Sequence, residues 1–166
     1  MITDELQLQT LKAWVEANAS GIYEQSTAKL LNAAASPEFW AWKSNLSAEE
    51  TGMAIVMSEV GGLTTANSTR LQVSFQVRPG GFTPSDVNDR SLFGSVFSAA
   101  GGVLTRTALL NKWQRLASVA EKLFATGTGT KATALNTDGS VTGGSPALLT
   151  FEGSITVTDL INAANS

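Results

Sequence analysis

Residues 126–131, Thr-Gly-Thr-Gly-Thr-Lys, come nearest in this chain to a phosphate-binding loop. In such a loop the lysine directly follows the last glycine, and the next residue is a Ser or Thr that reaches magnesium. Here Thr130 separates Gly129 from Lys131, and an alanine follows the lysine. Because the motif is broken at two positions, we expect it to bind no nucleotide, and we predict no cofactor and no metal.

Carboxylates are the other residues that could do chemistry, and no pair of them comes with a recognisable partner for acid–base catalysis. Glu50 is explained by helix capping, and Asp86 and Asp89 stand near a predicted helix start, where the helix dipole favours acids. The chain has no histidine and its cysteine count is zero. These counts exclude disulfides, zinc sites built on Cys or His, cysteine nucleophiles and Ser-His-Asp triads. We therefore predict that the protein is not an enzyme and has no catalytic residues.

Aromatic and basic side chains are better suited to binding than to catalysis. An aromatic cluster within four residues can anchor an interface, or it can pack a core beneath a short helix. The basic residues between 106 and 122 could touch a DNA backbone, but they alternate with apolar positions, which favours a solvated face or a protein interface. The interface candidates are Phe39, Trp40, Trp42, Arg106, Trp113, Arg115, Phe124 and Phe151.

The length and composition favour one domain with its own core, since 166 residues bury enough surface without metal or disulfide staples. Charged residues make up only 15% of the chain, well below the usual quarter. No run approaches the 18 or more apolar residues of a transmembrane helix. The acidic N-terminus lacks the basic-then-apolar pattern of a signal peptide. We expect a soluble protein that is made and retained in a cytoplasm.

Charge is distributed unevenly along the chain. Residues 1–60 carry a net charge of −5, residues 61–131 carry +5, and residues 132–166 carry −3. Separated charges can pair the acidic surface of one subunit with the basic surface of the next in head-to-tail association. They can also simply solvate one globule. The charges alone leave both interpretations open.

Capping signals divide the first sixty residues into helices. Proline is suited to the first position of a helix, and a Ser followed three residues later by Glu forms a capping box. The predicted helices are one starting at Thr3 and ending near residue 18, one over residues 22–35, one opened by Ser36-Pro37-Glu38, and one opened by Ser47 and Glu50.

Residues 63–77 fit two patterns. Apolar and polar residues alternate over residues 71–78, as in a half-buried strand. Thr64 can also cap a helix whose apolar face would hold Leu63, Leu71 and Phe75. The alternation of apolar and polar residues by itself favours the strand, and the helix remains an open alternative.

The next stretch predicts further helices. Ser85 and Asp86 begin one that ends at Gly101 and Gly102, and residues 105–124 carry a regular apolar stripe. A second capping box, from Ser118 to Glu121, allows this stripe to be two helices with a bend near Leu116.

The C-terminal part has a different composition. Residues 125–146 contain five glycines and six threonines, and a loop of that length is either disordered or functional. Residues 147–157 have the pattern of a strand, and Thr158 with Asp159 predicts a short final helix. Residues 123–130 and 148–156 are candidate legs of a β-hairpin.

Two stretches, AEKLFATGTGT at residues 120–130 and GSPALLTFEGSI at residues 144–155, resemble a group of small tailed-bacteriophage and prophage proteins. Those proteins carry an xEKLFATGTGT segment followed by an SPAxxxFEGxL segment, and most are products of the phage structural gene region. A weaker similarity covers residues 63–97, where the group has a helix like residues 64–77. The threonine-rich insert between the two stretches is longer here than in the group.

The resemblance implies a mainly α fold similar to the head-to-tail adaptor, or connector, proteins of tailed phages. Residues 1–124 would form a helical bundle body. Residues 125–166 would form an extended C-terminal β-hairpin-like arm and a short final helix. The implied function is that of a non-enzymatic virion structural protein, most of all a head-to-tail adaptor or neck ring component that joins portal and tail.

The implied partners are further copies of the chain in a ring, together with phage portal and tail proteins. Packaged DNA would be near only by proximity, and no membrane is implied. The implied location is the virion, assembled in the cytoplasm of the host bacterium. Two alternatives stay open: a tail or capsid-associated virion protein, and a cytoplasmic phage protein that binds a host or nucleic-acid partner.

Overall fold

The structure, a computed structural model, describes the backbone of residues 1–166 and every side chain except that of Ala100. Half of the described chain is helical, and its strands are two or three residues long and pair two by two. This confirms the expectation of a mainly helical chain with some strand structure.

The elements follow one another along the whole chain. The helices are α1 (Glu5–Asn18), α2 (Gln25–Asn32), α3 (Ala48–Ala54), α4 (Met57–Val60), α5 (Thr65–Val77), α6 (Val87–Val96), α7 (Val103–Trp113), α8 (Val119–Leu123) and α9 (Val157–Ala164), with a 3-10 turn at Ala100–Gly102. The strands are β1 (Trp40–Trp42), β2 (Gln114–Leu116), β3 (Ala125–Thr126), β4 (Ala134–Leu135), β5 (Val141–Thr142) and β6 (Leu148–Leu149). They pair as β1 with β2, β3 with β6, and β4 with β5.

The chain divides into two compact units, and each is built from separate segments. Unit 1 comprises Met1–Phe39, Leu116–Thr126 and Leu149–Ser166, and unit 2 comprises Trp40–Arg115 and Gly127–Leu148. This division differs from the predicted boundary after residue 124. The reason is that residues of the glycine- and threonine-rich stretch contribute buried side chains to the core of unit 2.

Unit 1 contains α1, α2, α8 and α9 around fully buried Leu11, Leu31 and Leu160. Helix α1 begins because the Asp4 carboxylate accepts a hydrogen bond from the Gln7 N–H at 2.9 Å. Helix α9 begins at Thr156, whose hydroxyl and backbone form a capping box with the third residue of the helix. The two starts lie one or two residues away from the predicted caps.

Unit 2 contains α3 to α7 around an aromatic core. The rings of Phe82 and Phe93 meet edge to face at 4.9 Å, and the Trp113 ring lies 5.7 Å from Phe93. Such edge-to-face pairs stabilise a core beyond the area they bury. Helices α5, α6 and α7 therefore pack around these aromatic rings.

The structure settles the ambiguous segment in favour of the helix. Residues 65–77 form α5, and Thr64 Oγ1 accepts from the Asn67 N–H at 3.3 Å as the cap. The strand interpretation is wrong because burial follows a helical period, with Leu71 and Ser74 buried and Val73 and Val77 exposed.

Residues 105–124 are two helices, α7 and α8, as the second capping box allowed. Ser118 Oγ accepts from the Glu121 N–H at 3.2 Å, and the Glu121 carboxylate accepts from the Ser118 N–H at 2.9 Å. Strand β2 occupies the bend and ends at the predicted position, Leu116.

Two local predictions are wrong. No helix follows Ser36-Pro37-Glu38, because the chain runs extended into β1, where the Trp40 and Trp42 N–H groups donate to carbonyls at 2.7 and 3.0 Å. The strand predicted over residues 147–157 is reduced to β6, since the residues after it bond to side chains instead of to a neighbouring strand. For example, the Ile155 N–H donates to Asn32 Oδ1 at 2.7 Å.

Candidate interaction surface

Two of the interface candidates lie in the core of unit 2. Trp113 is fully buried, and Trp42 is only 7% exposed beneath the Arg90 guanidinium, which stands 4.7 Å from its ring centre. A cation stacked on an aromatic ring is attracted to the ring electrostatically, and this attraction stabilises the packed positions of both side chains. The structure assigns both tryptophans to packing within the chain.

Two more candidates form a pair in unit 1. The rings of Phe124 and Phe151 meet edge to face at 5.5 Å, with Phe124 buried and Phe151 half-buried. Thr150 Oγ1 donates to the Phe124 carbonyl at 2.6 Å and holds the two segments together. This pair also belongs mainly to packing within the unit.

Phe39 and Trp40 are half-buried, and each carries a lysine on its face. Lys122 Nζ lies 5.5 Å from the Phe39 ring centre in unit 1, and Lys131 Nζ lies 4.4 Å from the Trp40 ring centre in unit 2. Together with Phe151, these two are the aromatic candidates that are not buried.

The two arginine candidates, Arg106 and Arg115, are half-buried in unit 2. Arg106 Nε is buried and has no hydrogen-bond partner among the described residues. The Arg106 charge also favours the ionised form of the nearby Glu59 carboxylate. The basic candidates are thus partly engaged within their own unit.

The two stretches that carry the phage resemblance fold against each other. In unit 2 the Thr130 N–H donates to the Ser145 carbonyl at 3.1 Å, and the Ser145 N–H donates to Thr130 Oγ1 at 2.8 Å. In unit 1 the Gly153 N–H donates to Glu121 Oε1 at 3.3 Å. Within each unit, residues of the two stretches that lie up to 32 positions apart in sequence are therefore hydrogen-bonded to each other.

The insert between those stretches belongs to unit 2 and has regular structure. It forms the antiparallel hairpin of β4 and β5, which pairs Ala134 with Thr142. Arg90 Nε donates to the Gly139 carbonyl at 2.8 Å and holds the turn of this hairpin near α6. One face of the insert is packed, and its threonines at positions 133, 137 and 142 are exposed.

A surface groove between α3–α4 and α5 in unit 2 was not predicted. Its volume is about 650 Å³, and its lining is mainly apolar, with two polar glutamines on α5. The lining residues are Gly52, Ile55, Met57, Val60, Leu71, Gln72, Phe75 and Gln76. We call this the α5 groove.

Large apolar side chains stand exposed at and beside the α5 groove. Met57, which lines the groove, is 74% exposed, and Met53, next to the lining residue Gly52, is 67% exposed. Methionine side chains adapt their shape to a partner, and clustered exposed apolar groups mark interaction sites. The sequence signal for this face was the helical spacing of Leu71 and Phe75, and the strand interpretation hid it.

A carboxylate fixes α4 beside the groove. Glu59 Oε1 and Oε2 accept from the Leu104 and Thr105 N–H groups at 2.9 and 2.7 Å, at the start of α7. Partial burial raises the pKa of Glu59, but the hydrogen bonds from Thr105 and Leu104 and the Arg106 charge outweigh it. The pKa is therefore held below its ordinary value.

The two units differ in charge. Unit 1 holds eight carboxylates and three lysines, a net charge of −5, and unit 2 holds eight basic groups and six carboxylates, a net charge of +2. All five arginines lie in unit 2. The uneven charge along the sequence is therefore also a division between compact parts of the molecule.

No helix among the described residues is long and apolar enough to cross a bilayer. The same residues include no cluster of three or more His, Cys, Asp or Glu side chains that could hold a metal ion. Compared with family models, with curated proteins and with solved structures, the chain gives no significant match.

Proposed function

We propose that this protein is a non-enzymatic structural protein of a tailed bacteriophage, a head-to-tail adaptor or neck ring component that joins portal and tail. The observation that carries the proposal is the pairing of residues 120–130 with residues 144–155. These are the two stretches that resemble phage structural-region proteins, and within each unit hydrogen bonds join them. These bonds support a shared structural role for the two stretches.

Assembly would be its activity, with further copies of the chain and the portal and tail proteins as partners. Exposed apolar side chains at the α5 groove and the opposite net charges of the two units support a protein that works through its surfaces. Packaged DNA would lie near it without being its ligand. Its place would be the virion, assembled in the cytoplasm of the host.

Residues 125–157 would supply the arm that contacts portal or tail. Residues 127–148 belong to unit 2, where the threonines at positions 133, 137 and 142 are exposed. A surface that is already ordered binds with less loss of conformational entropy than a disordered segment. The folded chain would then present these residues as a preformed contact surface.

Quantitative mass spectrometry of gradient-purified particles tests the proposal. The tryptic peptide from Leu123 to Lys131 covers most of the first resembling stretch and reports the copy number of the protein. A copy number that matches one ring at the portal is the expected result. A many-fold excess would instead place the protein in the tail or on the capsid, and absence from particles would leave a cytoplasmic role.

A further inference from the structure

Helix α4 borders two separate spaces in unit 2. Met57 and Val60 line the α5 groove, whereas Ser58 and Glu59 line a second, smaller space of about 110 Å³. We call this second space the α4 cavity, and its walls also include the apolar side chains of Leu63, Val96 and Phe97. Helix α4 is therefore a partition between the groove and the cavity.

Polar contacts hold α4 to the start of α7. The N-cap residue of α4 is Val56, whose N–H donates to Thr105 Oγ1 at 3.0 Å, and the Thr105 N–H donates to Glu59 Oε2 at 2.7 Å. In a capping box the N-cap N–H and the glutamate three residues later bond to each other. Here each of them bonds to Thr105 instead, so that one residue of α7 fixes both ends of the first turn of α4.

Apolar packing contributes little to the position of α4. None of its four residues is buried, and its apolar residue Val60 is only half-buried. A segment with few buried apolar contacts opens at a lower free energy than the core on which it lies. The attachment of α4 therefore depends mainly on the hydrogen bonds to α7.

Two glycines follow α4, and the observed structure requires glycine at neither position. Gly61 has a φ of −62° and a ψ of −21°, which alanine adopts readily. An added Cβ would lie 3.8 Å from the nearest contacting atom at Gly61 and 3.6 Å at Gly62, which are ordinary contact distances. Glycine increases backbone freedom at a position, and hinges are formed by a few such residues at the end of an element.

We propose that α4 is a strap that opens about Gly61 and Gly62 while the rest of unit 2 stays folded, and that its opening joins the α4 cavity to the α5 groove. The buried side chains of Val96 and Phe97 then become accessible from the groove. The strap thereby controls how much apolar surface the groove presents. This inference goes beyond the proposed function and does not depend on it.

Thiol labelling tests the opening, because the chain has no cysteine of its own. Val96→Cys places a thiol in the α4 cavity, and Ala132→Cys places one elsewhere in the core of unit 2; both positions are 1% exposed. The rate of alkylation by iodoacetamide is measured by mass spectrometry and divided by the rate in the urea-unfolded chain. Position 96 should react at least about tenfold faster than position 132, since it needs only the local opening of α4.

Two further substitutions in the Val96→Cys chain should change this rate in opposite directions. Thr105→Val removes the acceptor of the Val56 N–H and should speed labelling about fivefold to tenfold. Gly61→Ala should slow it about twofold to fivefold, because alanine restricts the open state more than the closed one. Thr51→Val is the matched control, since Thr51 is fully buried like Thr105 but its hydroxyl has no hydrogen-bond partner among the described residues. It should leave the rate unchanged.

Amide hydrogen exchange tests the same motion in the parent chain and needs no variant. The Glu59 N–H donates to the Val56 carbonyl at 2.9 Å, and the Phe97 N–H donates to the Phe93 carbonyl at 3.0 Å. A local opening exposes little surface, so urea below the unfolding transition should leave exchange at Glu59 unchanged. Exchange at Phe97 should accelerate with urea, because that amide is released only when unit 2 unfolds.

Three results would overturn the inference. Equal labelling at positions 96 and 132 would show that the α4 cavity becomes accessible only when unit 2 unfolds. Equal acceleration of both positions by Thr105→Val would show a loss of overall stability. Exchange at Glu59 that rises with urea as steeply as exchange at Phe97 would show that α4 unfolds together with the core.

These results are separate from those that test the proposed function. Absence of the protein from purified particles would contradict the virion function and leave the α4 strap intact. Failure of the labelling experiment would contradict the strap alone.

Discussion

Gln114 and Ala132 exchange two hydrogen bonds inside unit 2, although they lie 18 positions apart in sequence. Gln114 Nε2 donates to the Ala132 carbonyl at 2.8 Å, and the Ala132 N–H donates to Gln114 Oε1 at 2.9 Å. The side-chain amide thus takes the place of a neighbouring strand. It fixes the start of the insert against the core, where Gln114 is 3% exposed.

Replacing this side chain should therefore destabilise the chain strongly. Gln114→Met keeps the volume but leaves the N–H and carbonyl of Ala132 buried without partners, which costs about 2–4 kcal/mol of unfolding free energy. Urea unfolding followed by tryptophan fluorescence measures the change. Gln76→Met, at an exposed glutamine, is the matched control and should change stability by less than about 0.5 kcal/mol. Equal losses of unfolding free energy in the two variants would show that the two hydrogen bonds between Gln114 and Ala132 do not stabilise the fold.

The carboxylate of Asp159 should make unit 1 sensitive to acid. Burial raises the pKa of Asp159, but hydrogen bonds from Thr156 and from the Ile2 N–H, together with the N-terminal charge, lower it below its ordinary value. A depressed folded pKa stabilises the fold above the unfolded pKa, and this contribution is lost as the pH falls through the folded pKa, below about 4.

Asp159→Asn should remove that part of the pH dependence and lower stability near neutral pH. Thermal melts between about pH 3 and pH 7 measure both effects. Asp4→Asn is the matched control, because Asp4 also caps a helix but is exposed, and asparagine caps as well as aspartate. If the pH profile of Asp159→Asn overlays the parent profile, the Asp159 carboxylate is not the source of the acid sensitivity.

Glu59 should hold the start of α7 to α4. Glu59→Gln keeps one acceptor oxygen and loses the charge, so only one of the Leu104 and Thr105 N–H groups keeps a partner. We expect a loss of about 1 kcal/mol, as for other helix-start contacts. Glu49→Gln alters an exposed glutamate of α3 and should be neutral. Hydrogen exchange at Leu104 and Thr105 checks the mechanism, because faster exchange at these amides is expected only in the Glu59 variant.

Gly94 should be needed where α6 meets the insert. A Cβ at this position would collide with the carbonyl oxygens of Asn136 and Thr137. Gly94→Ala should therefore cost about 1–3 kcal/mol, although alanine favours a helix over glycine by about 1 kcal/mol.

Gly101→Ala provides the comparison, since a Cβ there meets no other atom within 4 Å. It should leave stability nearly unchanged. Exchange of the Thr133 and Asn136 amides, which donate across the hairpin at 2.8 and 2.9 Å, should accelerate in Gly94→Ala alone. Unchanged protection of these amides would refute the docking of the hairpin on α6.

The sequence by itself predicted the features that depend on neighbouring residues. The capping boxes at Ser47 and Ser118 occur as expected, because the hydroxyl, the backbone N–H and the glutamate that form each box lie within four residues. The division of charge was also evident from residue counts. The absence of histidine and cysteine narrowed the possible chemistry without any structure.

Tertiary contacts decided what local patterns left open. Residues 71–78 alternate like a strand, yet α5 packs against α6 and buries Leu71 and Ser74 on a helical period. Ser36-Pro37 has the pattern of a helix start, yet the next residues find carbonyl partners on segments about 90 and 105 residues later, at Gly129 and Ala147. Only the folded chain reveals which distant segment supplies a partner.

Tertiary structure also decided which apolar residues lie at the candidate surface. Tryptophan is a residue type that often anchors interfaces, but Trp42 and Trp113 are buried in the core of unit 2. Met53 and Met57 were not predicted to lie at a binding surface, and both are exposed. Residue type determines how strongly a side chain avoids water. Which apolar side chains are buried depends on how many the core can enclose, and the tertiary packing alone decides which remain at the surface.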